Sequence, residues 1–480
     1  MNNNVPKVFQ EPNIDKFIER INKLFYGSNK SSFSNAGQIY LLKFNSKNHK
    51  EIPKHIYKFY ESNNIEHVDG KIIYLPKDKN NIKSCIVLYG RTKFKKITKH
   101  FGSLVSSKIK GSSWKLFNKL NFKQEYDFFL GWGLDQYKFN NDKIFKHIEI
   151  TNSLRKSNLI ATLSGIFYGK ELINIPSSNM GPDALELSFI NFARYHDAKY
   201  KIVKDHKIIQ GFPLIYAVGK GSIQGPRLLE LNWGNPSYPL VVLVGKGVCF
   251  DTGGHDLKSS QYMRNMKKDM GGAASVLALA NIIIESKLKI NLKVLIPAVD
   301  NDIGPASMRP GDIYKSRSGI TVEIGTTDAE GRLILADTLA YASTYKPKLL
   351  IDFATLTGAA RVALGPDLPA YFTNSEELAS SINIISAQEN DNLWRLPLWK
   401  PYESWLNSDF ADTNNISTGS FAGAITAALF LNKFVKPQTN WVHIDTYAWN
   451  EKKIPGHSRG GDILGVIAIY KVIKKNINNL

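Results

Sequence analysis

The sequence has few cysteines and no long apolar run. Only Cys85 and Cys249 occur among 480 residues, which excludes a disulfide framework and favours a reducing compartment. No stretch of about 18 consecutive apolar residues is present, so we expect no membrane span. The opening segment MNNNVPKVFQ has no basic stretch followed by an apolar run, so we expect no secretory signal. Together these absences predict a cytoplasmic protein.

Acidic residues are also scarce relative to basic ones. Lys and Arg number 62 against 42 Asp and Glu, a formal net charge of +20. Residues 1–150 hold 27 basic and 13 acidic residues, so most of the excess lies there. Such charge permits binding to nucleic acid, although a compositional bias towards Lys explains it equally well. No aromatic-interleaved motif or helix-turn-helix accompanies the basic cluster Arg91, Lys93, Lys95, Lys96 and Lys99.

The length predicts two domains. In residues 1–148, short apolar runs alternate with basic, Asn-rich loops, which indicates a smaller α/β domain. Its predicted strands are 39–44, 71–76 and 84–90. Residues 149–480 form the larger predicted domain, and 149–172 read as one long helix that joins the two.

Apolar strands alternate with apolar helices from about residue 200 onward. The predicted strands are 239–245, 292–299, 319–325, 348–354 and 441–449. A helix follows the first strand at 271–285, and another follows the third strand from about 331. This order predicts an α/β fold with a mostly parallel or mixed central sheet that helices cover on both faces.

Two loops beside these strands concentrate charged residues. The loop after strand 239–245 carries Lys246, Asp251, Lys258 and Asp269. The segment TTDAEGRL carries Asp328, Glu330 and Arg332. Ligand crevices in open α/β sheets lie at the carboxyl ends of the strands, where both loops are expected. Four clustered carboxylates repel one another unless cations neutralise them, which indicates a two-metal hydrolytic site.

Each of these residues also has a purely structural interpretation. Asp269 could cap the following helix, and Asp251 could belong to an Asp-Gly turn. Asp328 and Glu330 could complement a helix dipole, and each lysine could be solvated. Arg332 fits this interpretation least, because a cation in the first turn of a helix opposes its dipole. An anion bound between the arginine and the helix amides would resolve that conflict.

The two loops resemble the leucyl aminopeptidase, or cytosol aminopeptidase, family. That family's motif NTDAEGRL appears here as TTDAEGRL (326–333), and its second motif, VGKG…FD[ST]GG…LK…M…DMGGAA, spans 244–274. Further matches are DFATLTGAARVALG (352–365) and GSFAGAITAALFL…WVHID. The resemblance covers roughly residues 150–480 and implies an aminopeptidase, with a smaller α/β domain preceding the catalytic one.

The resemblance also implies a metal site and its ligands. Two divalent ions, Mn²⁺ or Zn²⁺, would share Asp251 and Glu330 as bridging ligands. Lys246 and Asp269 would complete one metal position, and Asp328 the other. Lysine is a rare ligand because it must lose its proton to bind, and the pKa of a free lysine side chain is about 10.4.

Catalytic and substrate roles follow from the same resemblance. A metal-bridging hydroxide would attack the peptide carbonyl, Lys258 would stabilise the oxyanion, and Arg332 would hold a bicarbonate that acts as general base. Asp269 and one metal would bind the free amino group of a peptide substrate. The pocket or backbone clamp would be formed by Met266, Thr355 and Gly358. Family members are usually hexamers, so the resemblance also implies a homo-hexamer.

The sequence departs from the family pattern at a few positions. Thr326 replaces the usual Asn, His255-Asp256 replaces a more apolar pair, and Ser259 replaces a common Pro. No implied ligand is lost, so we expect an active enzyme. Two alternatives to a broad aminopeptidase are a nucleic-acid-binding protein with secondary peptidase activity and a dipeptidase specialised for a substrate such as Cys-Gly.

Overall fold

The structure is a computed structural model that describes residues 9–27, 35–45, 52–77, 83–141, 143–150 and 153–477. The chain divides into two compact units. The smaller is built from Asp15–Ser164 with Lys452–Arg459, and the larger mainly from Gly165–Glu451 and the segment after Gly460. None of the helices in these described ranges has the length and apolar character needed to cross a membrane.

The smaller unit is an α/β unit with a six-stranded sheet in the order β1-β6-β5-β2-β4-β3. Every neighbouring pair is parallel except β3 with β4. The strands are β1 Phe25–Tyr26, β2 Gly37–Lys43, β3 Ile72–Leu75, β4 Ser84–Tyr89, β5 Ser113–Leu116 and β6 His147–Glu149. The helices are α1 Ile14–Leu24, α2 Lys54–Ser62, α3 Lys99–Lys108, α4 Phe122–Leu134 and the beginning of α5 Ser153–Asn174. The three strands predicted in this region are confirmed. The long helix predicted at 149–172 is present as α5 from Ser153 onward, whereas Glu149 ends β6 and residues 151–152 lie outside the described residues.

The larger unit contains a nine-stranded mixed sheet in the order β16-β15-β18-β14-β9-β11-β8-β7, with β10 paired to the far end of β11. Its strands are β7 Lys199–Val203, β8 Arg227–Gly234, β9 Leu240–Gly245, β10 Gly247–Asp251, β11 Asn291–Asn301, β14 Leu349–Ala354, β15 Ala370–Thr373, β16 Trp394–Arg395 and β18 Trp441–Asp445. Four adjacent strands, β18, β14, β9 and β11, are parallel. They form the centre of the sheet and carry their carboxyl ends to one edge.

Helices cover this sheet because its central strands are mostly apolar on both faces. All residues of β14 and β18 are buried, which is typical of strands packed on two sides. Helix α10 packs against β9 and β14, and α11 packs against β9 and β11. The helices of the unit are α6 Pro182–Tyr195, α7 His206–Gly211, α8 Pro213–Gly219, α9 Ser260–Met263, α10 Gly271–Glu285, α11 Glu330–Thr344, α12 Gly358–Leu364, α13 Glu376–Gln388, α14 Gly423–Asn432 and α15 Val466–Asn476. The predicted fold class is therefore confirmed.

One predicted strand is placed differently. The segment 319–325 does not join the central sheet. Its middle, β13 Thr321–Glu323, pairs with β12 Ile313–Lys315 and β17 Thr413–Asn414 in a separate three-stranded sheet. Likewise, 441–449 is interrupted after β18, and β19 Trp449–Asn450 pairs only with β20 Gly460–Gly461. Short 3-10 helices lie at Met266–Met270, Thr327–Ala329 and Lys400–Leu406.

Candidate metal centre and substrate pocket

The candidate site lies where the parallel strands of the larger unit end. Lys246 directly follows β9, and its backbone N–H donates to the carbonyl of Phe353 on β14 at 3.0 Å. Asp251 ends β10, and Thr355 directly follows β14. Residues from these strand ends line one cavity of about 430 Å³. The crevice expected at the carboxyl edge of the sheet is therefore present.

Lys246 joins two carboxylates inside this cavity. Its Nζ lies 2.8 Å from Asp269 Oδ2 and 2.8 Å from Glu330 Oε1, and it donates to the Thr355 carbonyl at 3.1 Å. A Cβ atom at Gly331 would come within 2.5 Å of this Nζ, so any other residue there would displace the Lys246 ammonium group. Burial opposes the charge, but the carboxylates of Asp269 and Glu330 hold the pKa of Lys246 well above its ordinary value.

Lys258 pairs with the remaining two carboxylates. Its Nζ lies 2.7 Å from Asp251 Oδ2 and also contacts Asp328 Oδ1. Burial opposes the charge here too, and Asp251 is the strongest of the carboxylates that raise the pKa of Lys258. The sequence-predicted carboxylates and lysines of both loops therefore come together, two carboxylates to each lysine.

The carboxylates show the electrostatic strain of their crowding. Asp251, Asp328 and Glu330 each offer an oxygen, and these oxygens lie within 4.8 Å of one another. Burial, reinforced by the charge of Asp251, raises the pKa of Glu330 to about 8. Asp269 behaves in the opposite way. Burial opposes its charge, but the nearby lysines, Lys246 above all, outweigh burial and lower the pKa of Asp269.

The donor set fits a divalent cation. Asp269 Oδ2 and Glu330 Oε1 are buried without a hydrogen bond of good geometry, despite their closeness to Lys246. Carboxylate oxygens suit Mn²⁺, and a lysine nitrogen also admits Zn²⁺. A cation at this point would meet both unsatisfied oxygens.

Arg332 is buried beside this cluster in the first turn of α11. Its Nη1 donates to the carbonyl of Asn415 at 2.6 Å, while its Nε is buried without a hydrogen-bond partner among the described residues. Burial lowers the pKa of Arg332 to about 10, which leaves it a cation at neutral pH. A buried cation with an unused N–H fits a small oxyanion such as bicarbonate.

Sequence reasoning missed two asparagines that fix these loops. Asn301, at the end of β11, donates from Nδ2 to Asp251 Oδ1 at 2.8 Å and to the Thr327 carbonyl at 3.1 Å. It thereby ties the two acidic loops together. Asn415 accepts from Arg332 through its backbone and lies 83 residues away in sequence. Only the position of Asn301, at the carboxyl end of a predicted strand, carried a signal in the sequence.

Two of the departures from the family pattern contact each other. Thr326 Oγ1 donates to Asp256 Oδ2 at 2.8 Å, and the same oxygen accepts from the Thr327 backbone N–H at 2.8 Å. A carboxylate at 256 thus has a hydroxyl donor at 326. These two unusual residues form one hydrogen-bonded unit that holds the loop carrying Lys258 against the loop carrying Asp328.

The residues predicted to bind substrate line the same cavity. Met266, Thr355 and Gly358 all border it, and Thr355 Oγ1 donates to Asp269 Oδ1 at 2.7 Å. Three further side chains that the sequence did not single out are Lys268, Arg361 and Tyr447. Burial lowers the pKa of Lys268 to about 8. The doublet Lys267-Lys268 directly before Asp269 was the available signal.

Comparisons with known proteins agree with this geometry. Residues 167–469 match the cytosol aminopeptidase family, catalytic domain. A probable cytosol aminopeptidase of Chlamydia abortus is 42% identical over 320 residues, covering 65% of this chain and 64% of the relative. The match thus spans less than two thirds of that relative's length.

Solved structures resemble the chain over nearly its whole length. A cytosol aminopeptidase from Coxiella burnetii has a TM-score of 0.86 and 36% identity, and covers 95% of this chain and 99% of its own. The bottromycin maturation enzyme BotP in complex with Mn has a TM-score of 0.83 and 25% identity, over 92% and 100%.

Residues 167–469, most of which lie in the larger unit, thus correspond to the catalytic domain of a peptidase family, a class of hydrolases. More particularly, the chain belongs to the cytosol aminopeptidase family.

Proposed function

We propose that the protein is a metal-dependent aminopeptidase that removes residues, leucine-like and others, from the amino end of peptides. The observation that supports this proposal most directly is that two lysines and four carboxylates meet in one cavity. Lys246 contacts Asp269 and Glu330, and Lys258 contacts Asp251 and Asp328. Family membership supports the class of reaction.

Five residues are proposed to hold two divalent ions, Mn²⁺ or Zn²⁺. Asp251 and Glu330 would serve both positions, Lys246 and Asp269 one, and Asp328 the other. When bound, such ions supply Lewis-acid polarisation of a carbonyl and lower the pKa of water towards neutrality. The solved relative in complex with Mn supports this metal for that relative, and we extend it to this chain as a proposal.

The protein side chains then orient substrate and manage charge. Asp269, fixed by the Thr355 hydroxyl, is proposed to bind the free amino group, which restricts cleavage to the amino end of a peptide. Lys258 is proposed to donate to the oxygen that becomes negative during attack. Arg332, with its unused buried Nε, is proposed to hold bicarbonate as the general base. Met266 and Gly358 would contact the first residue of the substrate.

Assembly and location are further proposals. We propose a homo-hexamer on the family resemblance, and a cytoplasmic location because the matched relatives are named cytosol aminopeptidases. Peptides are the proposed partners. In the basic cluster of the smaller unit, Arg91, Lys93, Lys95 and Lys96 are exposed. Because of these exposed charges, nucleic-acid binding is the alternative function.

Metal dependence is the direct test of this function. Purified protein, stripped with a chelator and dialysed, should lose hydrolysis of leucine 4-nitroanilide because the acidic cluster needs cations. Addition of Mn²⁺, Zn²⁺ or Co²⁺ should restore the rate. A stripped protein whose activity is unchanged, with metal absence verified by elemental analysis, would contradict the proposal.

A further inference from the structure

Two cations in the substrate pocket have no role in the function proposed above. Lys268 Nζ lies 5.0 Å from the centroid of the Tyr447 ring, and Arg361 Cζ lies 4.5 Å from the same centroid. All three side chains line the cavity that contains the acidic cluster. We call Lys268, Arg361 and Tyr447 the cationic wall.

Neither cation of this wall forms a salt bridge among the described residues. Within the described residues, no Asp or Glu oxygen lies within 4.0 Å of Lys268 or Arg361, whereas Lys246 and Lys258 each contact two carboxylates. Lys268 is nevertheless only 5% exposed. The charge of Asp269 favours the Lys268 cation but does not outweigh its burial. A buried cation without a salt bridge is costly, and such local conflicts are typical of binding sites.

The cationic wall lies beside the residues proposed to contact the first residue of a substrate. A Cβ atom at Gly358 would meet Arg361 Nη2 at 4.0 Å, so the guanidinium lies next to Gly358. Lys268 stands in the short 3-10 helix Met266–Met270, between Met266 and Asp269. The wall is therefore close to Asp269, the proposed amino-group ligand, and to Met266 and Gly358, which are proposed to contact the first substrate residue.

The chemistry of the wall selects a carboxylate. A guanidinium offers two parallel N–H groups that match both oxygens of a carboxylate, and charge-assisted hydrogen bonds of this kind are strong. The ring of Tyr447 beneath it restricts the orientation of the guanidinium through cation–π contact. A leucine side chain would leave these donors unused.

We propose that the cationic wall binds the side-chain carboxylate of the first substrate residue, and that the enzyme prefers peptides beginning with Glu or Asp. This inference rests on the proposed aminopeptidase function and refines its substrate class. The free carboxyl end of a dipeptide offers the same chemistry from a second source. We favour the side chain because the wall adjoins Gly358 and Met266.

The test compares isosteric substrates on the Mn²⁺-loaded protein. The kcat/KM for glutamate 4-nitroanilide should exceed that for glutamine 4-nitroanilide, which differs only in charge. Arg361→Gln should lower kcat/KM for the glutamate substrate roughly 10–100-fold, the effect of one charged hydrogen bond. The same variant should leave the glutamine and leucine substrates near wild type. Lys268→Met should also reduce the preference for glutamate over glutamine.

Two matched controls remove a nearby or comparable charge outside the cavity. Lys267 is the neighbour of Lys268 but donates to the Asn174 carbonyl, and Arg309 is an exposed arginine. Lys267→Met and Arg309→Gln should retain the preference for glutamate. Retained leucine hydrolysis in Arg361→Gln shows that this variant is folded.

The outcomes separate the two proposals. If no aminoacyl substrate is cleaved with metal present, the proposed function fails. If leucine 4-nitroanilide is cleaved but glutamate is no better than glutamine, only the inference fails. A third result would also overturn the inference. If Leu-Gly is cleaved faster than Leu-Gly amide, and Arg361→Gln abolishes this difference, the wall binds the free carboxyl end of a dipeptide.

Discussion

Lys258 and Lys246 have the same side chain but different environments. Lys246 is buried between carboxylates of two loops, whereas Lys258 reaches Asp251 and Asp328 from a more open part of the cavity, with 12% of its side chain exposed. An ammonium that remains accessible can contact a substrate oxygen. This difference supports the separation of a proposed metal ligand, Lys246, from a proposed oxyanion donor, Lys258.

Removal of Lys258 should separate catalysis from metal binding. Lys258→Ala should retain both metals but lose roughly 10²–10³ in kcat, since the lost donor acts on charge that develops in the transition state. Asp251→Ala should lose metal as well as rate because it removes a shared ligand. Elemental analysis beside kcat for both variants checks this, with Ser259→Ala as the neighbouring control. Metal loss in Lys258→Ala, or a near-normal kcat, would show that the assigned role is wrong.

The candidate ligands could be predicted because they lie in two contiguous motifs. The contacts that hold and complete the site could not. Arg332 and Asn415 meet across 83 residues, and Arg361 and Lys268 share the Tyr447 ring only after the sheet is formed. Contacts between separate loops leave no local pattern in a single sequence.

At the scale of secondary structure, prediction succeeded where apolar periodicity was long. Helix α10 was predicted with its observed bounds because fifteen residues of apolar sequence follow from Gly271. The segment 319–325 was assigned to the central sheet wrongly. The run of alternating apolar residues in this segment is short. Its pairing with β12 and β17 depends on contacts between distant parts of the chain, which a strand of three paired residues does not specify by itself.

Helix α10 approaches the strands so closely that its first turn needs glycine. A Cβ atom at Gly272 would lie 2.1 Å from the Phe353 carbonyl oxygen and 2.8 Å from the Lys246 nitrogen. Gly272→Ala should therefore push the helix from the sheet and destabilise the fold by about 1–3 kcal/mol. The melting temperature and kcat should fall together, because Lys246 and Asp269 are displaced.

Gly358→Ala is the matched control for stability. A Cβ atom there meets only Arg361 Nη2, at 4.0 Å, so the melting temperature should stay near wild type. Equal melting temperatures for the two glycine variants and the wild type would contradict the close-approach argument.

At the scale of the whole molecule, two units form one chain, and the proposed division at residue 148 remains a prediction.

The larger unit has a buried histidine that links its stability to pH. His196 follows α6, and its Nε2 lies 3.1 Å from Asn281 Oδ1 on α10. Burial lowers the pKa of His196 to about 4, against 6.5 for the free side chain.

The sign of the pH effect follows from that lowered pKa. Between pH 6.5 and 4 the unfolded chain binds more protons at this residue than the folded chain, so its contribution to stability falls as pH falls. Through this residue, the free energy of unfolding of the wild type should fall by up to about 2 kcal/mol between about pH 6.5 and about pH 5. The His196→Gln variant should not show this part of the decrease. Urea denaturation at both pH values measures this, with His206→Gln, an exposed histidine, as control. An unchanged pH dependence in His196→Gln would refute it.

Helix α12 carries Arg361 but none of the proposed metal ligands. These come from the ends of β9 and β10, the 3-10 helices at Met266–Met270 and Thr327–Ala329, and the start of α11. Under the proposed function, substitutions on α12 should therefore alter which peptides bind without changing the proposed metal ligands. This arrangement makes position 361 a site where substrate preference can diverge among descendants of one gene, and where a directed-evolution library would best begin.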